Sequence, residues 1–265
     1  MDGLLNMINT KSMKKFTPLF SLALIVIAGF SAKAQQHDNN GMHGWFMHNI
    51  AGSAMVQVTY RPSKLGQLNQ ILNNNGIASL PGNNIWINLV AQHIHAKWLF
   101  EDGIGFTPTS TSGNNNNLKA KYNQAQLYFR AGYDISKTPS FRLYPFGGIN
   151  LSLAQLRIQD NNRIDNTSDF SQELLNSTSS KTLYQPNFGI DLGLGFDYLI
   201  GVKPKKMECF ELERNIPIGF RLGYYINAAS HDWKVDGHSL NSSPNQKQSN
   251  IFVSVNIGLG YVVKK

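Results

Sequence analysis

The stretch Ile251 to Val263, IFVSVNIGLGYVV, decides how this chain reads. At every second position it gives Ile251, Val253, Val255, Ile257, Leu259, Tyr261 and Val263 on one side. Phe252, Ser254, Asn256, Gly258, Gly260 and Val262 fall on the other. Successive side chains of a strand point to opposite faces. One face is therefore an unbroken apolar stripe, and the other is mostly small or polar. No helical period fits. The pattern returns at Phe188 to Tyr198, FGIDLGLGFDY, and in weaker form through much of the chain, which is expected to be all-β.

The first residues stand apart. Lys11, Lys14 and Lys15 precede an apolar run from Phe16 to Phe30, followed by Ala32-Lys33-Ala34. A basic start, a short apolar run and an A-x-A site make a secretory signal peptide over residues 1–34, with cleavage expected after Ala34. Met13 is an alternative start. Gln35 and Gln36 stand where a lipoprotein would carry cysteine. Of 24 basic and 16 acidic residues, the leader holds four and one, leaving a formal charge of +5 on the remaining 231 residues. No dense Lys/Arg run with interleaved aromatics is present, so nucleic acid is not an expected partner. Cys209 is the only cysteine, which excludes an internal disulfide. Stability must come from a core or from a membrane. Charged residues are 15% of the chain, against about 25% in soluble domains.

Residues 35–52 read as a mobile or loosely docked N-terminal arm, and residues 53–265 as one domain. Eight strands are expected: Ala54 to Arg61, Ile85 to Ala96, Trp98 to Thr109, Lys121 to Ile135, a strand from Phe141, Phe188 to Tyr198, Ile216 to Ile226, and the last stretch. After Pro62, Ser63 is placed to cap a short helix over 64–74, with Leu65, Leu68, Ile71 and Leu72 on one side and Gly76 beyond its end. Polar loops are expected around Gly113 to Asn117, over Asp160 to Gln185 and from Asp236 to Asn250, with a turn of mixed charge from Val202 to Asn215. The phase of strands two and three stays open: either His93 and His95 share a face with Ile85, Ile87 and Leu89, or the register slips at a bulge. Long connections alternate with short ones, which puts the long loops at one end and both termini at the other.

Alternation alone does not say which face is outside. A soluble barrel would put the apolar face inward, a membrane barrel outward against lipid. The polar face is Gly, Asn, Gln, Asp, Arg and Ser, with hardly any Lys or Glu, unlike a solvated face. Charges of both signs recur on it: Arg130, Asp134, Arg142, Asp191, Asp197 and Arg221. Inside a closed barrel these are expected to form a polar network. Tyr133, Phe141, Tyr198 and Tyr261 flank the apolar stripes near the short-turn end, as an interfacial girdle would. Asp102 falls in the lipid-facing phase, where a bulge or a position above the bilayer would resolve it.

On the A-x-A signal, eight alternating strands, short turns at one end and Asn/Ser-rich loops at the other, the chain resembles the small outer-membrane β-barrels of Gram-negative bacteria, the OmpA-, OmpX- and OmpW-like domains. The resemblance covers most of residues 50–263 and is architectural. It implies an eight-stranded antiparallel up-and-down transmembrane β-barrel with one short helix in the first long loop. It also implies location in the outer membrane, termini in the periplasm, and contact with outer-membrane lipid, lipopolysaccharide and the assembly machinery, as a monomer. Such barrels often end on an aromatic residue. This chain ends Val263-Lys264-Lys265, with Tyr261 as the nearest substitute.

Candidate chemistry is sparse. Met42, His43, Met47 and His48, with His37 nearby, offer thioether and imidazole ligands suited to copper, against the plainer reading of an arm of chance composition. His93-x-His95 is a two-ligand pattern lacking a third partner. Ser230-His231-Asp232 and His238-Ser239 raise a rim hydrolase acting on lipid or peptide, but adjacent strand residues point apart and no nucleophile elbow is present. No catalytic residue and no cofactor is therefore assigned. The expected function is non-enzymatic, structural or surface-binding through the loops, with the interior filled by side chains. A narrow porin-like channel or small-solute transporter is the alternative, and the rim hydrolase comes after it.

Overall fold

A computed structural model of the chain describes residues 51–108, 111–115, 118–138, 140–160, 180–206, 211–241, 243–244 and 249–264. All belong to the unit Met47–Lys265. The strands are β1 Ala51–Tyr60, β2 Ile85–His95, β3 Trp98–Phe106, β4 Thr111–Asn115, β5 Leu118–Tyr133, β6 Phe141–Asp160, β7 Ser180–Lys206, β8 Glu211–Ser230, β9 Lys234–Val235, β10 His238–Ser239 and β11 Asn250–Lys264. One helix, α1, spans Gly66–Asn74. Among the described residues no helix is long and apolar enough to cross a membrane; strands do the crossing.

Eight strands close a ring. Each of β1, β2, β3, β5, β6, β7, β8 and β11 pairs antiparallel with the next, and β11 returns to β1. The closing seam runs from Ala51 opposite Val262 to Tyr60 opposite Val253. The first strand thus pairs over its whole length with the last.

The faces sort as a membrane barrel requires. Val255, Ile257 and Leu259 point outward, Leu259 being 73% exposed, while Phe252, Ser254 and Asn256 are buried inside. On β5, Leu127, Phe129 and Tyr133 are exposed, and Gln124, Gln126, Tyr128 and Arg130 are buried. From Ala125 to Ile135 the outward row spans ten residue steps, or about 25 Å along the normal at 3.3 Å per step and a 40° tilt. That matches the apolar band of outer-membrane barrels, also about 25 Å tall. Trp98, Tyr133, Tyr198 and Tyr261 are exposed at the turn end, with Trp98 edge-on to Tyr133 at 5.2 Å.

Several boundaries differ from the sequence expectation. β1 begins at Ala51. The stretch 111–115 is strand β4, pairing with Leu118 to Tyr122 of β5; its Thr, Ser, Gly and Asn residues lack alternation because it carries no apolar face. β7 takes in 180–185, which had read as loop, with Pro186 tolerated because the β8 partner strand begins only opposite Asn187. Val202 to Asn215 is no simple turn. β7 and β8 stay paired there, down to Lys206 opposite Glu211. Ser63 does not cap α1, which starts without a side-chain cap. Its hydroxyl instead accepts from Asn84 Nδ2 at 2.5 Å. At the far end of α1, Gly76 takes φ of 72°, and Ile77 N closes back on Leu72 O at 2.9 Å.

At the loop end, β5, β6 and β7 rise past the level of β3, whose Phe106 pairs with Ala125. Their inward faces carry Ala120, Tyr122, Ala154 and Leu156, and on these pack Leu65, Leu68 and Leu72 of the α1 segment with Ile77, Leu80 and Trp233. A helix of about three turns is marginal alone in water; this cluster is what holds it. Asn69 fastens it further, its Nδ2 donating to Leu80 O at 2.9 Å and its Oδ1 accepting from Leu80 N at 2.8 Å. The helix therefore plugs the mouth of the barrel.

Candidate functional site

The barrel interior is organised by charge. Glu101, on β3, sits between two arginines. Arg130 Nη1 donates to Glu101 Oε1 at 2.9 Å, and Arg221 Nη2 to Glu101 Oε2 at 3.3 Å. Arg130 also donates through Nε and Nη2 to Asp191 Oδ2 at 3.0 and 2.9 Å. Arg221 grips Asp197 through Nη1 at 2.7 Å and Nη2 at 3.3 Å. Tyr144 OH donates to Asp197 Oδ2 at 2.9 Å, and Gln92 Nε2 to the same oxygen at 3.4 Å. Arg221, Asp191 and Asp197 are fully buried. Charges so deep are tolerated only when paired and hydrogen-bonded.

Above this layer, toward the plug, lies an uncharged mesh. Tyr128 OH donates to Gln57 Oε1 at 3.1 Å, Gln126 Nε2 to Asn88 Oδ1 at 2.7 Å, and Asn150 Nδ2 to Gln126 Oε1 at 3.1 Å. Higher still, the Arg61 guanidinium lies between Trp86 and Tyr225, 4.3 and 4.4 Å from the two ring centroids. With Arg61 counted, three buried arginines face the three carboxylates of Glu101, Asp191 and Asp197. Room for the large rings comes from glycines on neighbouring strands. Tyr128 occupies the space a Cβ would need at Gly103, Tyr225 that at Gly189 and Tyr144 that at Gly195. Gly258 and Gly260 make way for Met55 and Asn215. The cavity below the charged layer, lined by Leu99, Glu101, Arg130, Gly132, Tyr144 and Phe146, measures about 10 Å³, the space of a single water.

Arg130, Asp191, Asp197 and Arg221 thus meet in one network. Asp134 and Arg142 do not join it. Asp134 Oδ1 accepts from the backbone and hydroxyl of Ser136 at 2.9 and 2.7 Å, closing the β5–β6 turn. Arg142 stands opposite Asp197 in register, but the Asp197 carboxylate is turned to Arg221 and Tyr144. Glu101 and Arg61 were not foreseen. The signal for Glu101 was present: Leu99, Gly103 and Gly105 fall on its side of β3, and small residues mark the crowded face.

Asp102 faces outward without a bulge, since β2 and β3 pair in unbroken register. His93 on the adjacent strand lies 3.6 Å from it, so His93 shares the outer face with Ile85 and Leu89. Among the described residues no three His, Cys, Asp or Glu side chains gather as a metal site. Met42, His43, Met47 and His48 lie outside the described residues. The rim candidates do not assemble: Ser230 Oγ accepts from Asn227 Nδ2 at 2.8 Å, His231 N donates to Pro186 O at 3.1 Å, and the His238 ring bonds Asp236 O at 3.0 Å.

A closed ring with lipid-type residues outside and paired charges inside is a transmembrane β-barrel, built like those of bacterial outer membranes. No family model matches the sequence, and no curated protein does. Solved structures of outer-membrane barrels are similar to it. The attachment invasion locus protein Ail of Yersinia pestis is 13% identical, with 82% of this chain and 99% of that one covered and a TM-score of 0.37. Neisserial surface protein A is 13% identical over 82% and 97%, with a TM-score of 0.34. The outer membrane protease OmpT of Escherichia coli is 10% identical over 84% and 99%, with a TM-score of 0.30. The strand ring itself, not these distant likenesses, establishes the barrel.

Proposed function

We propose that this protein is a non-enzymatic barrel of the Gram-negative outer membrane, exported by a leader over residues 1–34 and acting through its loop end. The observation that carries this is the filled interior. Paired charges, an amide mesh and the α1 plug lie in series along the axis, and side chains fill an eight-stranded barrel in any case. A path for solute would have to break the Glu101 bridge and lift the plug together. The barrel's strand ends at the short-turn side face the periplasm, and the chain is inserted as a monomer by the outer-membrane assembly machinery, with Tyr261 as the terminal aromatic.

Two measurements test this. A gel of unheated and boiled outer-membrane fractions is expected to show the mobility shift of a folded barrel. In planar bilayers the purified protein is expected to pass no steady current. Porin-like conductance would overturn the closed-barrel reading, and lipid or peptide products that vanish in His231→Ala would overturn the non-enzymatic one.

A further inference from the structure

One ionisable pair lies on the lipid face of this barrel. His93 of β2 and Asp102 of β3 both point outward, with side-chain exposures of 66% and 51%. Their register partners are Phe100 and Ala91, so the two stand diagonally across adjacent strands. At the level of the bilayer, the outward residues of the other six ring strands are Ala, Val, Leu, Ile, Phe, Pro, Tyr or Gly, and none is charged. Asp102 is four residues along β3 from Trp98 of the girdle, or about 10 Å up the normal at 3.3 Å per residue and a 40° tilt. A short carboxylate side chain cannot reach back over that depth as the long stems of Lys and Arg do. Charge on the lipid face costs stability, and an ionisable group at membrane depth has to find a partner. The partner within the chain is a poor one. His93 Nε2 stands 3.6 Å from Asp102 Oδ1, too far for a hydrogen bond.

The surroundings are shaped for a neighbour. Ala91 has Ala54 of β1 on one side and Asp102 on the other, and Gly52 stands opposite His93. These small residues leave a shallow strip beside the pair, and small residues are what let two backbones approach closely in a membrane. On the opposite flank Phe100 lies flat between Trp98 and Phe129, with ring centroids at 6.5 and 6.2 Å. The chemistry also says what the neighbour is. Lipid tails offer neither donor nor acceptor. A two-fold contact is self-complementary, residue i of one copy meeting residue j of the other and j meeting i. A donor and an acceptor side by side on one face satisfy that condition.

We propose that two copies of this chain pair side by side in the membrane across the β2–β3 face, an imidazole N–H of His93 in each copy donating to the Asp102 carboxylate of the other. The proposal rests on the reading of the chain as an outer-membrane barrel. Insertion as a monomer comes first, and pairing follows within the bilayer.

The test uses the protein folded in detergent micelles over a range of protein-to-detergent ratios, with monomer and dimer counted by native mass spectrometry. The wild type is expected to show a dimer that grows with that ratio. Asp102→Leu is expected to dissociate at least about tenfold more readily. Leu194→Ala, across the ring beside Leu222, is expected to leave the equilibrium unchanged. At dilution, where both are monomers, Asp102→Leu should unfold no more easily than the wild type, so that lost pairing is not lost folding. The decisive arm is complementation. His93→Asp alone sets carboxylate against carboxylate and Asp102→His alone imidazole against imidazole, so neither is expected to dimerise. Mixed, they set two carboxylates against two imidazoles, and a mixed dimer resolved by its mass is expected. Dimerisation of Asp102→Leu equal to the wild type, or no mixed dimer, would overturn the proposal. So would a dimer that forms only after residues 35–50 are deleted, since that segment would then be the occupant of this face. A protein that shows the folded-barrel gel shift yet stays monomeric at every ratio sinks this proposal alone; one that never shows the shift sinks the barrel reading.

Discussion

Replacing Arg221 by methionine should be among the most damaging single changes this barrel can suffer. The guanidinium is fully buried. It donates to both oxygens of Asp197, to Glu101 Oε2, and to the carbonyls of Phe196 and Phe220 at 3.2 Å each. Methionine fills much of the same volume but pairs with none of these groups. Asp197 keeps only Tyr144 and Gln92 as donors, and Glu101 keeps only Arg130. The buried charges, balanced at three against three with Arg61, go to a net −1 in the closed interior. Removing one partner of a buried pair costs about 3–5 kcal/mol, and Arg221→Met is expected to fall in that range. Adding Asp197→Asn removes the orphaned charge and should recover about 1–2 kcal/mol, a coupling typical of groups in one network. The assay is reversible urea unfolding of the protein in phospholipid vesicles, read by tryptophan emission and by gel mobility. A loss under about 1 kcal/mol, or a double variant worse than the single, would refute a structural role for the charge layer.

Other changes probe the remaining layers. Gly195→Ala places a Cβ against the Tyr144 ring and should cost about 1–3 kcal/mol as overpacking; the same unfolding curves check this. Leu68→Ala empties part of the plug, and the loss should be local. Trp233 emission is expected to shift red and protease to cut faster at the loop end, while the barrel midpoint moves less than in Arg221→Met. Asp102→Leu removes a carboxylate from the lipid-facing surface and is expected to raise stability by about 1–2 kcal/mol, since charges on that face cost more the deeper they lie; vesicle unfolding measures it. Deleting residues 66–74 should still give no steady current in planar bilayers, because the charge layer beneath the plug remains intact.

What the chain discloses unaided follows from the period of a strand. Lipid and packed side chains demand opposite chemistry on alternate residues, so β5, β8 and β11 could be read with their faces, and Arg130 and Arg221 could be seen to point inward. Where the strands leave the bilayer that demand lapses. β4, the start of β7 and the β7–β8 hairpin below Val202 therefore looked like loop, although backbone pairing continues through them. Strands β2 and β3 were ambiguous because Glu101 and Asp102 are adjacent carboxylates and only one can face inward. Gly103 and Gly105 on the Glu101 side of β3 hint at the crowded inner face, but the partners that fix Glu101 there, Arg130 and Arg221, come from two other strands. The seating of α1 was beyond reach for the same reason. Its leucines say that it must rest on something, but the surface it rests on, Ala120 to Leu156, is assembled from distant strands.

The seam between β1 and β11 has a consequence for how the molecule is made. Its partners, Ala51 with Val262 and Tyr60 with Val253, are among the most distant in the chain, and contacts of that kind form slowly because the loop must be closed before any pairing rewards it. Until they form, the molecule is an open sheet with two unpaired edges and one polar face. Neither is admissible in hydrocarbon, where every backbone group must find a partner. Glu101 and its arginines can then lose their water only as the first strand meets the last. Closure and dehydration of the core become one event, and the partly built sheet has to wait at the membrane surface for the final fifteen residues of β11.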